Sequence, residues 1–156
     1  MTRACCEVLQ RLEGKTLVTA ESLTGGGIGS ALTAVPGSSQ VYKGGVICYT
    51  DWVKARILGV PQEILDRYGA VSAETAGYLA KGVRACLEAD VAVAVTGLAG
   101  PGSDAFGNPV GTVFLAYQDR ECAQVKRFRF SGDREAVRRQ TVEAALNMIL
   151  EHNPKP

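Results

Sequence analysis

Ala4, Cys5, Val8, Leu9 and Leu12 fall on one face at helical spacing, and Gly14 supplies a stop, so the chain opens with a helix. Residues 16–20, Thr-Leu-Val-Thr-Ala, form a short β-prone run. A polar, glycine-rich turn comes next, Glu21-Ser22-Leu23-Thr24-Gly25-Gly26-Gly27, and then a helix of small residues expected to stop near Pro36-Gly37. Residues 45–50 read as a second strand, residues 52–58 as one or two helical turns, and residues 62–68 as a short helix after Pro61. Ala76, Leu79, Ala80, Val83, Cys86 and Leu87 give the most regular amphipathic helix. It leads into a buried strand over residues 90–96 and a breaker-rich loop over residues 97–109. Residues 110–117 and 123–130 are strands separated by Gln118-Asp119-Arg120-Glu121, which suits a hairpin. Asp133 caps a last helix with Val137, Thr141, Ala144, Met148 and Ile149 facing inward, and residues 152–156 are expected to form a loose tail. Helices alternate with strands early and a hairpin completes the sheet. The pattern specifies an α/β fold, a three-layer α/β/α sandwich with a mixed sheet of about five strands, expected to form one domain over residues 1–156.

Composition narrows the function. Hydrophobic residues at 46% and charged residues at 21% exclude a disordered, collagenous or coiled-coil chain. Seventeen Lys+Arg against 16 Asp+Glu leave a net charge of +1, so there is no general basic footprint for nucleic acid. Only the cluster Arg134, Arg138 and Arg139 points that way. Five cysteines at irregular spacing, without a C-x-x-C, fit reduced thiols and a cytoplasmic location better than a disulfide framework. The start carries no apolar h-region, and the longest apolar stretch, residues 91–95, is too short to span a bilayer. No membrane or nucleic-acid partner is expected. His152 is the only histidine and lies four residues from the end, so a His-based triad or zinc site has little to build on, and no metal is expected.

The candidate chemistry sits where the first strand runs into the Ser22 turn. A helix N-terminus offers unpaired N–H groups, and glycines let a carbonyl oxygen or anion approach the backbone. The turn matches neither G-x-S-x-G nor a phosphate-binding G-x-x-x-x-G-K-[ST], and a lone hydroxyl there also serves as a helix cap. A serine nucleophile needs a base. Without a usable histidine, the remaining choices are lysine and carboxylates. A lysine serves only when neutral, which requires moving its pKa from about 10.4 towards 7 by burial or charge repulsion. Lys54 is best placed, because it follows the second strand and functional groups gather at the C-terminal ends of parallel strands. Tyr49 ends that strand much as Ser22 ends the first.

Taken together, Ala20-Glu21-Ser22-Leu23-Thr24-Gly25-Gly26, Tyr49-Thr50-Asp51-Trp52-Val53-Lys54, Thr96-Gly97-Leu98-Ala99-Gly100-Pro101-Gly102, Pro109-Val110-Gly111-Thr112-Val113 and Phe130-Ser131-Gly132-Asp133-Arg134 occur in one order. This set resembles the CinA C-terminal domain family, whose characterised enzymes are nicotinamide mononucleotide deamidases of the PncC type. The resemblance spans residues 4 to 151. It implies an amidohydrolase that converts nicotinamide mononucleotide and water to nicotinic acid mononucleotide and ammonia without a cofactor. It also implies a homodimer. Carried over by motif, Ser22 is the nucleophile, Lys54 the general base and Tyr49 a helper that orients or relays the proton. Thr24, Gly25 and Gly26 are then placed to hold the oxyanion. The substrate phosphate is sought at Arg138 or Arg139 and at the loop carrying Thr96, Gly97 and Gly100. Two departures stand out: Leu23 replaces a frequent Cys, and Asp51 a frequent Asn. A carboxylate beside Lys54 favours the charged amine, so a non-catalytic nucleotide-sensing or interaction module is the alternative reading. Members also occur fused behind an N-terminal nucleotide-hydrolysing domain.

Overall fold

Five strands, β1 (Leu17–Glu21), β2 (Tyr42–Ile47), β3 (Val91–Gly97), β4 (Thr112–Gln118) and β5 (Ala123–Arg129), join into one sheet in the order β2-β1-β3-β4-β5. The structure, a computed structural model, describes residues 1–156. β1 runs parallel to both β2 and β3, while β4 and β5 add antiparallel, so the sheet is mixed as the pattern specifies. Six helices cover it: α1 (Thr2–Arg11), α2 (Gly27–Thr33), α3 (Asp51–Arg56), α4 (Gln62–Tyr68), α5 (Ala73–Cys86) and α6 (Arg134–His152), with a 3-10 turn at Ser38–Gln40.

Strand alternation sorts the two cores. Val91, Val93 and Val95 of β3 join Leu17, Leu115 and Tyr117 beneath α1, α2 and α6. Ala92 and Ala94 face the other way and meet Val18, Ala20 and Ala116 beneath α5. The small side chains on that second face let helix and sheet approach closely. β1 is buried along its whole length although Thr19 and Glu21 are polar. Side-chain caps start three helices: Thr50 accepts from the Val53 N–H, Ser72 from Thr75 and Asp133 from Ala136. The last is the cap read from the sequence.

Two expectations are corrected. β2 occupies Tyr42–Ile47 rather than residues 45–50. An edge strand extends only as far as its neighbour accepts hydrogen bonds. β1 pairs from Leu17↔Tyr42 to Glu21↔Ile47 and then turns away at Ser22. The Cys48 N–H makes one more bond to the Glu21 carbonyl (2.9 Å), and Thr50 caps α3. Tyr49 therefore lies beyond the strand. The tail is also tighter than expected. The His152 ring stacks on Tyr117 with centroids 4.1 Å apart, and Asn153 Nδ2 donates to the Tyr117 hydroxyl (3.0 Å). Residues 154–156 alone are exposed. The partner that ties down His152 is far away in sequence. No helix is long and apolar enough to cross a membrane.

Candidate active site

The C-terminal ends of the three parallel strands meet around a cavity of about 360 Å³. β1 delivers Ser22 and Leu23, the segment after β2 delivers Tyr49, Asp51 and Lys54, and β3 delivers Thr96, Gly97 and the loop to Gly102. Ser22 is fixed at the strand end by its own N–H, which donates to the Val95 carbonyl (3.1 Å). Lys54 lies on the first turns of α3, and its N–H donates to the Thr50 carbonyl (3.1 Å). Its side chain folds inward and leaves the residue 1% exposed; Ser22 is 7% exposed.

The amine nitrogen Nζ of Lys54 has three oxygen neighbours: the Cys48 carbonyl at 2.7 Å, the Ser22 hydroxyl at 3.1 Å and the Tyr49 carbonyl at 3.3 Å. Burial pushes its pKa below the ordinary lysine range, partly opposed by Cys48, Asp51 and Tyr49. Asp51, the residue expected to hold the amine charged, makes no ion pair with it and is exposed. The Cys48 thiol is pushed up to about 11 by burial and stays a neutral neighbour at physiological pH. A neutral amine has two N–H donors and one lone pair. Two carbonyls take the donors. The third neighbour, a hydroxyl, can donate to the lone pair.

The other expected residues divide. Tyr49, 58% exposed, reaches Lys54 through its backbone carbonyl, and its phenol oxygen accepts from Arg134 (3.1 Å). Thr24, Gly25 and Gly26 stand behind the cavity wall rather than in its lining. The Gly25 N–H is taken by the Ser22 carbonyl (3.1 Å), whereas those of Leu23 and Thr24 donate to no protein group. Gly25 and Gly26 have φ of +57° and +99°, the left-handed backbone this turn needs. Thr96 and Gly97 line the cavity; the Thr96 hydroxyl donates to the Ala70 carbonyl (2.7 Å), tying the loop before α5 to β3. A Cβ on Gly97 would stand 2.7 Å from the Thr112 carbonyl, so the close strand approach there excludes a side chain. Arg138 is turned to the back of the Ser22 turn, donating to the Leu23 (2.9 Å) and Thr24 (3.2 Å) carbonyls, and Arg139 is exposed outside the cavity. Neither of the two arginines expected to bind the substrate phosphate lines the cavity.

Arg134 is the cation that sequence reasoning missed. It lines the cavity and donates to the Gly100 carbonyl (2.7 Å) as well as to Tyr49. Its signal was present, because the Asp133 cap puts residue 134 at the start of α6, beside whatever that helix end faces. The carbonyls of Cys48 and Tyr49 carry no sequence signal, since every residue has one.

Comparison with known proteins identifies the family. The profile of the CinA C-terminal domain matches residues 2–152. A nicotinamide-nucleotide amidohydrolase PncC of Pseudomonas putida is 47% identical over 145 residues, which cover 93% of this chain and 90% of that protein. A CinA-like protein of Geobacter sulfurreducens is 45% identical over 141 residues, and this chain spans 34% of its length. Among solved structures, a CinA superfamily protein of Escherichia coli superposes with a TM-score of 0.94 at 37% identity, covering 97% of this chain and 89% of that one. A competence/damage-inducible protein of Agrobacterium tumefaciens also gives 0.94, at 38% identity, covering 98% and 95%. By matched length, identity and superposition alike, the chain belongs to the CinA C-terminal domain family.

Proposed function

We propose that the chain is a nicotinamide-nucleotide amidohydrolase that works through Ser22 and Lys54. The observation that carries this reading is the buried Lys54 amine, with the Ser22 hydroxyl at 3.1 Å and the Cys48 and Tyr49 carbonyls as its other two neighbours. The similarity to the Pseudomonas putida amidohydrolase supports the substrate class.

In this mechanism the Lys54 lone pair takes the Ser22 proton as Oγ attacks the carboxamide carbon. The tetrahedral oxyanion lies against the unpaired N–H of Leu23, the turn residue that lines the cavity after Ser22; one such donor is worth roughly 3 kcal/mol in other acyl transfers. Lys54 then passes its proton to the departing nitrogen, the C–N bond breaks, and ammonia leaves an acyl-serine. Water attacks the ester carbon while Lys54 accepts its proton, and collapse returns that proton to Ser22 Oγ and frees the carboxylic acid. Each half-reaction ends with Lys54 neutral. The substrate phosphate is assigned to Arg134, whose guanidinium lines the cavity and presents a planar fork of donors suited to phosphate.

Purified protein incubated with nicotinamide mononucleotide should release ammonia and the acid mononucleotide in equal amounts. Ligand-induced stabilisation with no product would instead support the non-catalytic sensing module.

A further inference from the structure

Glu21 ends β1 beside the nucleophile, is 2% exposed, and makes no salt bridge. Its carboxylate is held by donors alone. One oxygen accepts from the Thr24 hydroxyl (2.7 Å) and the Ile28 N–H (2.8 Å). The other accepts from the Gly29 N–H (3.1 Å) and the Thr19 hydroxyl (3.3 Å). The Thr19 hydroxyl in turn meets the Tyr42 hydroxyl at 2.7 Å. This side chain thereby ties the start of α2 and the middle of the Ser22 turn to the end of β1. The main chain of the same residue reaches the other half of the site. Its carbonyl accepts from the Cys48 N–H (2.9 Å), and the Cys48 carbonyl accepts from Lys54 Nζ (2.7 Å).

We propose that Glu21 is a positioning residue, which sets the Ser22 turn against Lys54 by gripping Thr24 and α2 with one carboxylate while its backbone anchors Cys48. The assignment rests on the Ser22–Lys54 reading. Glu21 touches neither reacting atom. It fixes where the hydroxyl and the Leu23 N–H stand when the oxyanion forms, a geometry in which displacement of about 1 Å costs on the order of 100-fold in rate. A carboxamide cannot replace it. Each carboxylate oxygen accepts one backbone N–H, from Ile28 or from Gly29, so whichever way Gln turns, its NH₂ faces a donor.

The test compares Glu21→Gln, Thr24→Val and Thr24→Ser with wild type on nicotinamide mononucleotide. A fluorophosphonate probe, read by intact mass, follows Ser22 acylability independently of that substrate. Glu21→Gln should lower kcat by about 100-fold with KM within about threefold, and slow probe labelling in parallel. The low-pH limb of kcat, which reports Lys54, should keep its midpoint. Thr24→Val should lower kcat by about tenfold, and Thr24→Ser, which restores the hydroxyl, should recover most of that loss. A purely structural role would lower the melting temperature but leave kcat per folded molecule and the labelling rate unchanged, and that result overturns the proposal. Should Glu21→Gln fail to fold, the isosteric Thr24→Val and its Ser rescue decide. Ser22→Ala and Lys54→Met separate the two readings. If both are inactive while Glu21→Gln and Thr24→Val turn over normally, only the role of Glu21 falls. If either keeps full turnover, the Ser22–Lys54 reading falls and takes the positioning role with it.

Discussion

Replacing Lys54 by Met removes the amine and keeps the buried stem close in shape. The structure sets what is lost. Nζ is the one basic group within hydrogen-bond reach of the Ser22 hydroxyl. General-base assistance is worth about 10²- to 10⁴-fold. Because the same amine serves the acid and base roles of both half-reactions, the upper end applies: kcat should fall by about 10⁴-fold, or about 5.4 kcal/mol at 1.36 kcal/mol per decade. Lys54→Arg should do no better, since a guanidinium stays protonated. In wild type, activity should rise with pH along a limb of unit slope as Lys54 loses its proton. The midpoint should lie below the ordinary lysine value of about 10.4, because burial disfavours the charged amine. Stability follows the same linkage. Between the depressed folded pKa and the unfolded value of about 10.4, the unfolded chain binds more protons, so wild type should gain stability relative to Lys54→Met as pH rises through that window. Stopped ammonia assays across pH, paired with denaturant titrations of both proteins, check this. Retention of more than a tenth of wild-type turnover in Lys54→Met, or a rate limb that persists in it, would refute the reasoning.

Other outcomes are equally specific. Ser22→Ala should abolish ammonia release while circular dichroism stays native, and an unchanged rate would remove Ser22 from the chemistry. Asp51→Asn should move the low-pH limb of kcat to lower pH, because the Asp51 charge raises the Lys54 pKa; a pH-rate profile that stays in place contradicts that coupling. Arg134→Ala should raise KM for nicotinamide mononucleotide by at least about tenfold and leave the phosphate-free riboside little affected. Equal losses on both compounds would exclude a phosphate contact. Gly82→Ala reverses the helix-propensity rule: Ala gains about 1 kcal/mol inside a helix, but here its Cβ would collide with the Leu58 backbone carbonyl, which cannot rotate aside. A net destabilisation of about 1–2 kcal/mol is expected, read as a lower urea midpoint at unchanged m-value.

Local signals made α5, α6 and the β4–β5 hairpin legible. Each carries its own signal in apolar spacing or in a cap such as Asp133, and the helix read over residues 62–68 is α4 (Gln62–Tyr68). Motif order put Ser22 and Lys54 forward as partners across a gap that the chain does not span locally. The sequence could not place the ends of β2, because an edge strand stops where its neighbour does. Nor could it dock His152, whose stacking partner Tyr117 belongs to β4.

The division within the site has one cause. Side-chain chemistry is written residue by residue, so a serine after a strand and a lysine after the next are visible as a possible pair. What tunes that pair is backbone carbonyl direction, desolvation and the route of each long side chain. Arg134 turned into the cavity, Arg138 behind the turn and Arg139 away from both are neighbours of nearly identical chemistry with different surroundings. Three parallel strand ends and the start of α6 had to converge before any of those surroundings existed. The residue types were therefore decided by the sequence, and their electrostatics and geometry by the tertiary structure, because both depend on groups that the chain brings together only on folding.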